Sequence, residues 1–252
     1  MTGFTGSIGS HGRPVHRVQK GAAVNDLADL FGPQGLNFAG LSPPVQIALL
    51  LGLTVLLPAL VVTATSFTRC VIVLAFVRQA LATPNVPPNL VLTGLSLFLT
   101  FYIMQPVFHE IDQKALQPYM QQQIPGQEAL RQGLEIYKRF LLRHTRKSDL
   151  SLFLHFAGLS ENPQLQKPED TPFFVVLPAF VISELKTAFL MGFCIYLPFL
   201  MVDLVVASVL TSMGMVMMPP VTISAPFKVL LFVLADGWHL ISYALTASFG
   251  ST

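Results

Sequence analysis

Five formal charges, Glu184, Lys186, Asp203, Lys228 and Asp236, interrupt an otherwise apolar C-terminal third of the chain. Charge within such a segment is expensive, and by default it marks a pairing site or a pathway. Glu184 and Lys186 stand two residues apart, which on a helix turns them roughly 200° away from each other, so they cannot pair together. Lys228 and Asp236 share a helix face but lie about 12 Å apart along the axis, too far for a direct bond. The pattern predicts a pair between Glu184 and Lys228, across helices or subunits, with Lys186, Asp203 and Asp236 open to further ion pairing. Buried structural ion pairs and a transport pathway both fit these charges.

The sharpest local feature is the run from Ser212 to Pro220. Four of the nine methionines, Met213, Met215, Met217 and Met218, fall within six residues beside Gly214 and the pair Pro219-Pro220. Scattered methionines are ordinary core filler, because the thioether chain is soft and unbranched. Here a Pro pair must also break the helix, and broken backbone at membrane depth is tolerated where it is buried in protein or lines a cavity. An apolar ring can close a pore to ions by dewetting and still yield to a passing chain. The sequence predicts a gate of Met213, Met215, Met217 and Met218, hinged at Gly214, Pro219 and Pro220.

Catalytic chemistry finds no support. Glu184 and Asp203 are 19 residues apart and suggest no acid–base dyad. His155 and His239 have no companions at ligand spacing, and Cys70 and Cys194 lie far apart in apolar surroundings without a CxxC pattern. Neither a nucleophile elbow, a zinc-binding helix motif nor a phosphate loop occurs. No enzyme activity, cofactor or metal is expected.

The elements that must position these residues follow from composition. Apolar residues make up 52% of the chain and charged ones 11%, against roughly 25% charged in soluble domains. No charge occurs from Leu30 to Thr68 or from Gln79 to Phe108, and roughly 20 apolar residues span a bilayer core. These runs predict an all-α integral membrane protein of about four apolar helical segments in kinked hairpins, with an extramembrane helical insert. The small net charge of +2 is spread without basic blocks, which speaks against nucleic acid as a partner.

Four regions result. Residues 1–44 read as a flexible polar arm without the continuous apolar core of a signal peptide. Residues 45–108 read as a first membrane hairpin, interrupted at Pro58 and Arg69, with its turn at Ala82–Asn89. Residues 109–170 carry eight acidic and eight basic side chains and contain an amphipathic helix from about Gly126 to Thr145, with Leu130, Leu134, Tyr137, Leu141 and Leu142 as its apolar stripe. Its basic block, Lys138–Lys147, reads as a solvated face. Residues 171–252 read as a second membrane hairpin, with segments at about 173–202 and 204–250, the latter broken at the methionine loop. Arg69 and Arg78 flank the first turn region, so positive-inside reasoning places that tip in the cytoplasm and the 109–170 insert on the periplasmic side.

These motifs resemble the FliP family of flagellar export proteins. The resemblance rests on Thr65-Ser66-Phe67-Thr68-Arg69, Val86-Pro87-Pro88-Asn89 and Leu97-Phe98-Leu99-Thr100-Phe101. It continues through Ser183-Glu184-Leu185-Lys186-Thr187-Ala188-Phe189, Gly214 to Pro220, and Phe227-Lys228 to Asp236-Gly237-Trp238, from about Val45 to Phe249. It implies an inner-membrane subunit of the flagellar type III export gate, present in several copies around a pore that passes unfolded protein. The implied partners are FliQ and FliR, with FlhB and FlhA nearby, and membrane lipid. The resemblance also assigns the methionine loop to a gasket and maps a charged pair onto Glu184 and Lys228. Val216 interrupts a methionine run that is often continuous in the family. The equivalent subunit of a virulence injectisome shares most of these motifs. A stand-alone transporter would fit broken helices with intramembrane charges, but no matching halves are visible.

Overall fold

The computed structural model describes residues 42–83, 86–159, 170–215 and 217–250. Most of the predicted arm, along with Pro84 and Val216, lies outside the described residues. The fold is all-α, as the composition requires.

Helix α1 (Pro43–Thr63) opens with prolines in its first turn, where a missing N–H costs nothing. It is apolar on every side, and Ile47, Leu50, Leu51, Val55 and Leu56 are exposed. A helix apolar all round needs lipid or protein around it. A short turn then leads into α2 (Phe67–Ala80), with the Thr65 hydroxyl accepting from the Phe67 N–H at 3.3 Å. Cys70, Val73, Leu74, Val77 and Ala80 recur at helical spacing and form its buried face.

Helix α3 (Asn89–Ile111) runs on through a π-helical turn at Asp112–Leu116 into the short α4 (Gln117–Met120). The whole rod is long and apolar enough to cross a membrane. Helix α5 (Gly126–His144) begins and ends within a residue of the predicted amphipathic helix. Its buried edge includes Ile136 and Phe140 besides Leu141, whereas Leu130 is exposed. Lys138 departs from the solvated face expected of its block and is buried. Helix α5 packs on α3 and on the next long helix, so the polar insert shares one core with the apolar segments. The Tyr137 hydroxyl donates to the Ala64 carbonyl at 2.5 Å, joining α5 to the α1–α2 turn. Helix α6 (Lys147–Phe156) follows after a two-residue link.

Helix α7 (Phe173–Ser212) corrects the expected boundary near residue 202. It is a single helix of 40 residues, about 60 Å long, twice the thickness of a bilayer's hydrocarbon core. Asp203 carries charge but imposes no backbone constraint, and both Pro178 and Pro198 are absorbed within the helix. Val175, Val176, Ala179, Phe180, Ala188 and Gly192 bury its first half. Gly192 permits that packing: a Cβ there would stand 2.5 Å from the ring of Phe76 on α2. The second half exposes Leu197, Leu200, Met201, Leu204, Val205 and Val209.

Helix α8 (Pro220–Leu234) returns along α7, and Phe199 meets Phe232 with ring centroids 6.4 Å apart. At Asp236, whose φ is +49°, the chain bends by 63° into α9 (Gly237–Gly250). Helix α9 then packs back on α3.

Candidate functional site

Two ion pairs organise the core, one fully buried and one partly so. Arg69 on α2 donates through Nε to Glu184 Oε2 at 2.8 Å and through Nη2 to Oε1, gripping both carboxylate oxygens. The remaining nitrogen, Nη1, donates to the Ser248 hydroxyl at 2.8 Å and to its carbonyl at 3.3 Å. The Phe249 ring lies 3.7 Å from the guanidinium carbon, a cation–π contact with little competing water. Arg69 is 3% exposed and Glu184 fully buried. A fork-on-fork geometry with its spare donor satisfied is what offsets the desolvation of two ions.

The second pair joins α7 to α8. Lys228 Nζ donates to Asp203 Oδ2 at 2.6 Å, and the Ser224 hydroxyl, one turn earlier on α8, donates to Oδ1. The expected pair of Glu184 with Lys228 is therefore not what the single chain forms, because each charge is already held by another partner. Asp203 thus pairs with Lys228, whereas neither Lys186 nor Asp236 has an ion pair among the described residues, and both are exposed. Sequence spacing missed Arg69 as the partner of Glu184 across 115 residues. The available signal was that Arg69 lies inside an apolar segment, where a guanidinium must find an anion.

A hydrogen-bonded polar network flanks the first pair. The Ser183 hydroxyl donates to Asp149 Oδ2 at 2.7 Å and accepts from the Arg146 N–H at 3.0 Å, and Arg146 Nη2 reaches Thr187 at 3.4 Å. These bonds dock α6 onto α7 beside Glu184. On α5, His144 packs against Phe140 and Phe249, with ring centroids 4.8 and 4.9 Å apart. Burial, helped by the nearby positive charges of Arg69 and Arg143, pushes its imidazole down to about 4.

The methionine loop sits at the far end of the α7–α8 hairpin. Gly214, with φ of +78°, donates to the Thr211 carbonyl at 3.0 Å, and the Met215 N–H donates to Leu210 at 3.0 Å. This double closure is the left-handed stop that ends a helix on glycine. Pro219 and Pro220 then start α8, where their absent N–H groups cost no helical bond. Between the two ends the methionines are held outward: Met213 is 67% exposed and Met217 97%. The hairpin thus presents soft apolar side chains at its tip.

The FliP family model matches residues 50–245. The chain belongs to the FliP family. Among its FliP relatives, the "Flagellar biosynthetic protein FliP" of Bacillus subtilis is 52% identical over 226 residues, covering 90% of this chain and all of that protein. Its counterpart in Pectobacterium carotovorum is 52% identical over 82% of this chain and 79% of the relative. That of Aquifex aeolicus is 50% identical over 81% of this chain and 86% of the relative. The FliP match encloses Arg69, Glu184, Asp203, Lys228 and the methionine loop. Ser248 and Phe249, which complete the Arg69 site, lie just beyond it.

Proposed function

We propose that the chain is a channel-forming subunit of the flagellar type III protein export gate, passing unfolded flagellar proteins across the bacterial inner membrane. Its role is transport rather than catalysis. Membership in the FliP family supports the flagellar assignment, since the relatives named above are flagellar biosynthetic proteins. The observation that carries the channel reading is the set Met213, Met215, Met217 and Met218, exposed at the tip of an apolar hairpin whose helices expose lipid-like surface. Such a tip cannot bury itself within one chain, and several copies would bring their methionines together as a closed apolar constriction.

In this reading residues 45–108 and 171–252 are the two membrane hairpins, and the 109–170 insert faces the periplasm. FliQ and FliR assemble with several copies of the chain, with FlhB and FlhA nearby. Arg69–Glu184 and Lys228–Asp203 are the rigid frame that holds the gate hairpin.

The test is complementation. Expressed in a Bacillus subtilis strain lacking its own FliP, the chain should restore flagellar subunits to the culture medium. Correct membrane insertion with no recovered export would overturn the assignment.

A further inference from the structure

Lys186 and Asp236 are the two charges of the apolar C-terminal third that remain after Arg69–Glu184 and Lys228–Asp203 are accounted for. No side-chain hydrogen bond or ion pair engages either one among the described residues, and both are exposed. Their surroundings are apolar. Lys186 stands among exposed Ile182, Phe189, Leu190 and Phe193, and Asp236 beside exposed Val233, Leu234 and Trp238. A lone charge ringed by large apolar side chains suits neither lipid nor water. It does suit the centre of a protein interface, where a surrounding apolar ring excludes solvent from a charged pair.

The two cannot readily meet within one chain. The Phe199–Phe232 contact sets the register of α7 against α8. Carried along both helices, it places Asp236 level with about residue 195, roughly 13 Å short of Lys186. The opposite charges therefore point to a second copy.

We propose that Lys186 of one copy pairs with Asp236 of its neighbour, so that the α7 face carrying Phe189 and Phe193 packs on the α8–α9 bend of the next subunit. Two different patches make a head-to-tail contact, which generates a ring or a filament rather than a closed dimer. The inference rests on the reading that the chain self-associates, and it names the surfaces that do so.

The test is made on the full chain in membranes, with Cys70 and Cys194 replaced by Ser. Lys186→Cys and Asp236→Cys in the same chain should give a ladder of disulfide-linked multimers on mild oxidation, whereas co-expressed single-cysteine chains should stop at dimers. Independently, Lys186→Gln and Asp236→Asn should each lower recovery of the oligomer about thirtyfold or more, as loss of one partner of a desolvated pair does. The double variant should be no worse than either single one. Asn is chosen because it keeps the left-handed backbone at Asp236. Absence of the ladder, with oligomers present, would overturn the pairing. So would fully additive losses, or an Asp236→Asn variant that assembles normally because the acid serves only the bend. Because cross-linking reads contact rather than secretion, a ladder without export would sink the channel reading and leave this interface standing.

Discussion

Arg69 and Glu184 form a two-pronged ion pair in the core, with Ser248 and Phe249 of the last helix closing over the guanidinium. Four elements of the chain thus depend on one contact: α2 and α7 supply the ions, α9 seals them, and α5 lends His144 and Phe140 to the same aromatic cluster. This is how apolar helices distant in sequence are held in one arrangement while their outer faces stay available for lipid and neighbours.

Removing either ion should leave the other buried and unpaired. Arg69→Met or Glu184→Leu alone should lower stability by about 3–5 kcal/mol, whereas the two together should cost less than either one. Thermal unfolding of the four proteins in detergent measures this. Losses that simply add would show that the two side chains act separately.

His144 gives the fold an acid-sensitive element. Its folded value of about 4 lies below the ordinary 6.5 or so of an exposed imidazole. The unfolded chain therefore binds the proton more readily between those two values. The stability attached to the neutral ring is present above pH 6.5 and is lost progressively as pH falls toward 4. His144→Phe should remove this component, so the gap between variant and parent melting temperatures should shift in the variant's favour from pH 7.5 to pH 4.5. A gap independent of pH would show that His144 does not titrate on unfolding.

Gly192 sets the distance between α2 and α7. An added Cβ would fall 2.5 Å from Phe76, and the ring also packs edge-on against Phe189 at 5.4 Å. Gly192→Ala should therefore destabilise the chain by about 1–3 kcal/mol through overpacking. Phe76→Leu should recover part of that loss in the double variant, read by the same melts. A Gly192→Ala protein as stable as the parent would mean that the helices separate freely.

Much of this organisation was legible in the sequence, and what was not has physical causes. The limits of α5 could be read because amphipathic spacing is a local property. The break at the methionine loop could be read because Gly214 and the Pro pair constrain the backbone directly. The continuation of α7 through Asp203 could not, since a charge in an apolar run resembles a boundary until its partner Lys228 is seen one helix away. Arg69 was read as a charge flanking a turn. Spacing rules exclude partners on the same helix, but they do not say which distant helix will arrive, and only the fold brings Arg69 to Glu184. Ser248 and Phe249 carried no local signal at all.

The methionine loop offers the most direct test of the channel reading. A secretion channel must hold back ions when idle and admit an unfolded chain when working. Thioether side chains serve both ends, because water finds too few hydrogen-bonding partners among them to wet a narrow ring, and their unbranched chains repack around varied cargo. Met215, Met217 and Met218 lie on the exposed turn between the Gly214 helix stop and the Pro219-Pro220 helix start, so shortening all three to Ala leaves both helix ends and both ion pairs intact. The triple variant should assemble like the parent, conduct small ions and slow the growth of cells producing it, with export retained at least in part. Gly214→Ala should behave differently. A Cβ at a φ of +78° strains the helix stop by about 1–2 kcal/mol, so assembly rather than sealing should suffer. Conductance of membranes holding each variant, measured beside the yield of assembled complex, separates the two effects. A triple variant that assembles fully and stays tight to ions would make these methionines surface filler and place the seal elsewhere along the hairpin.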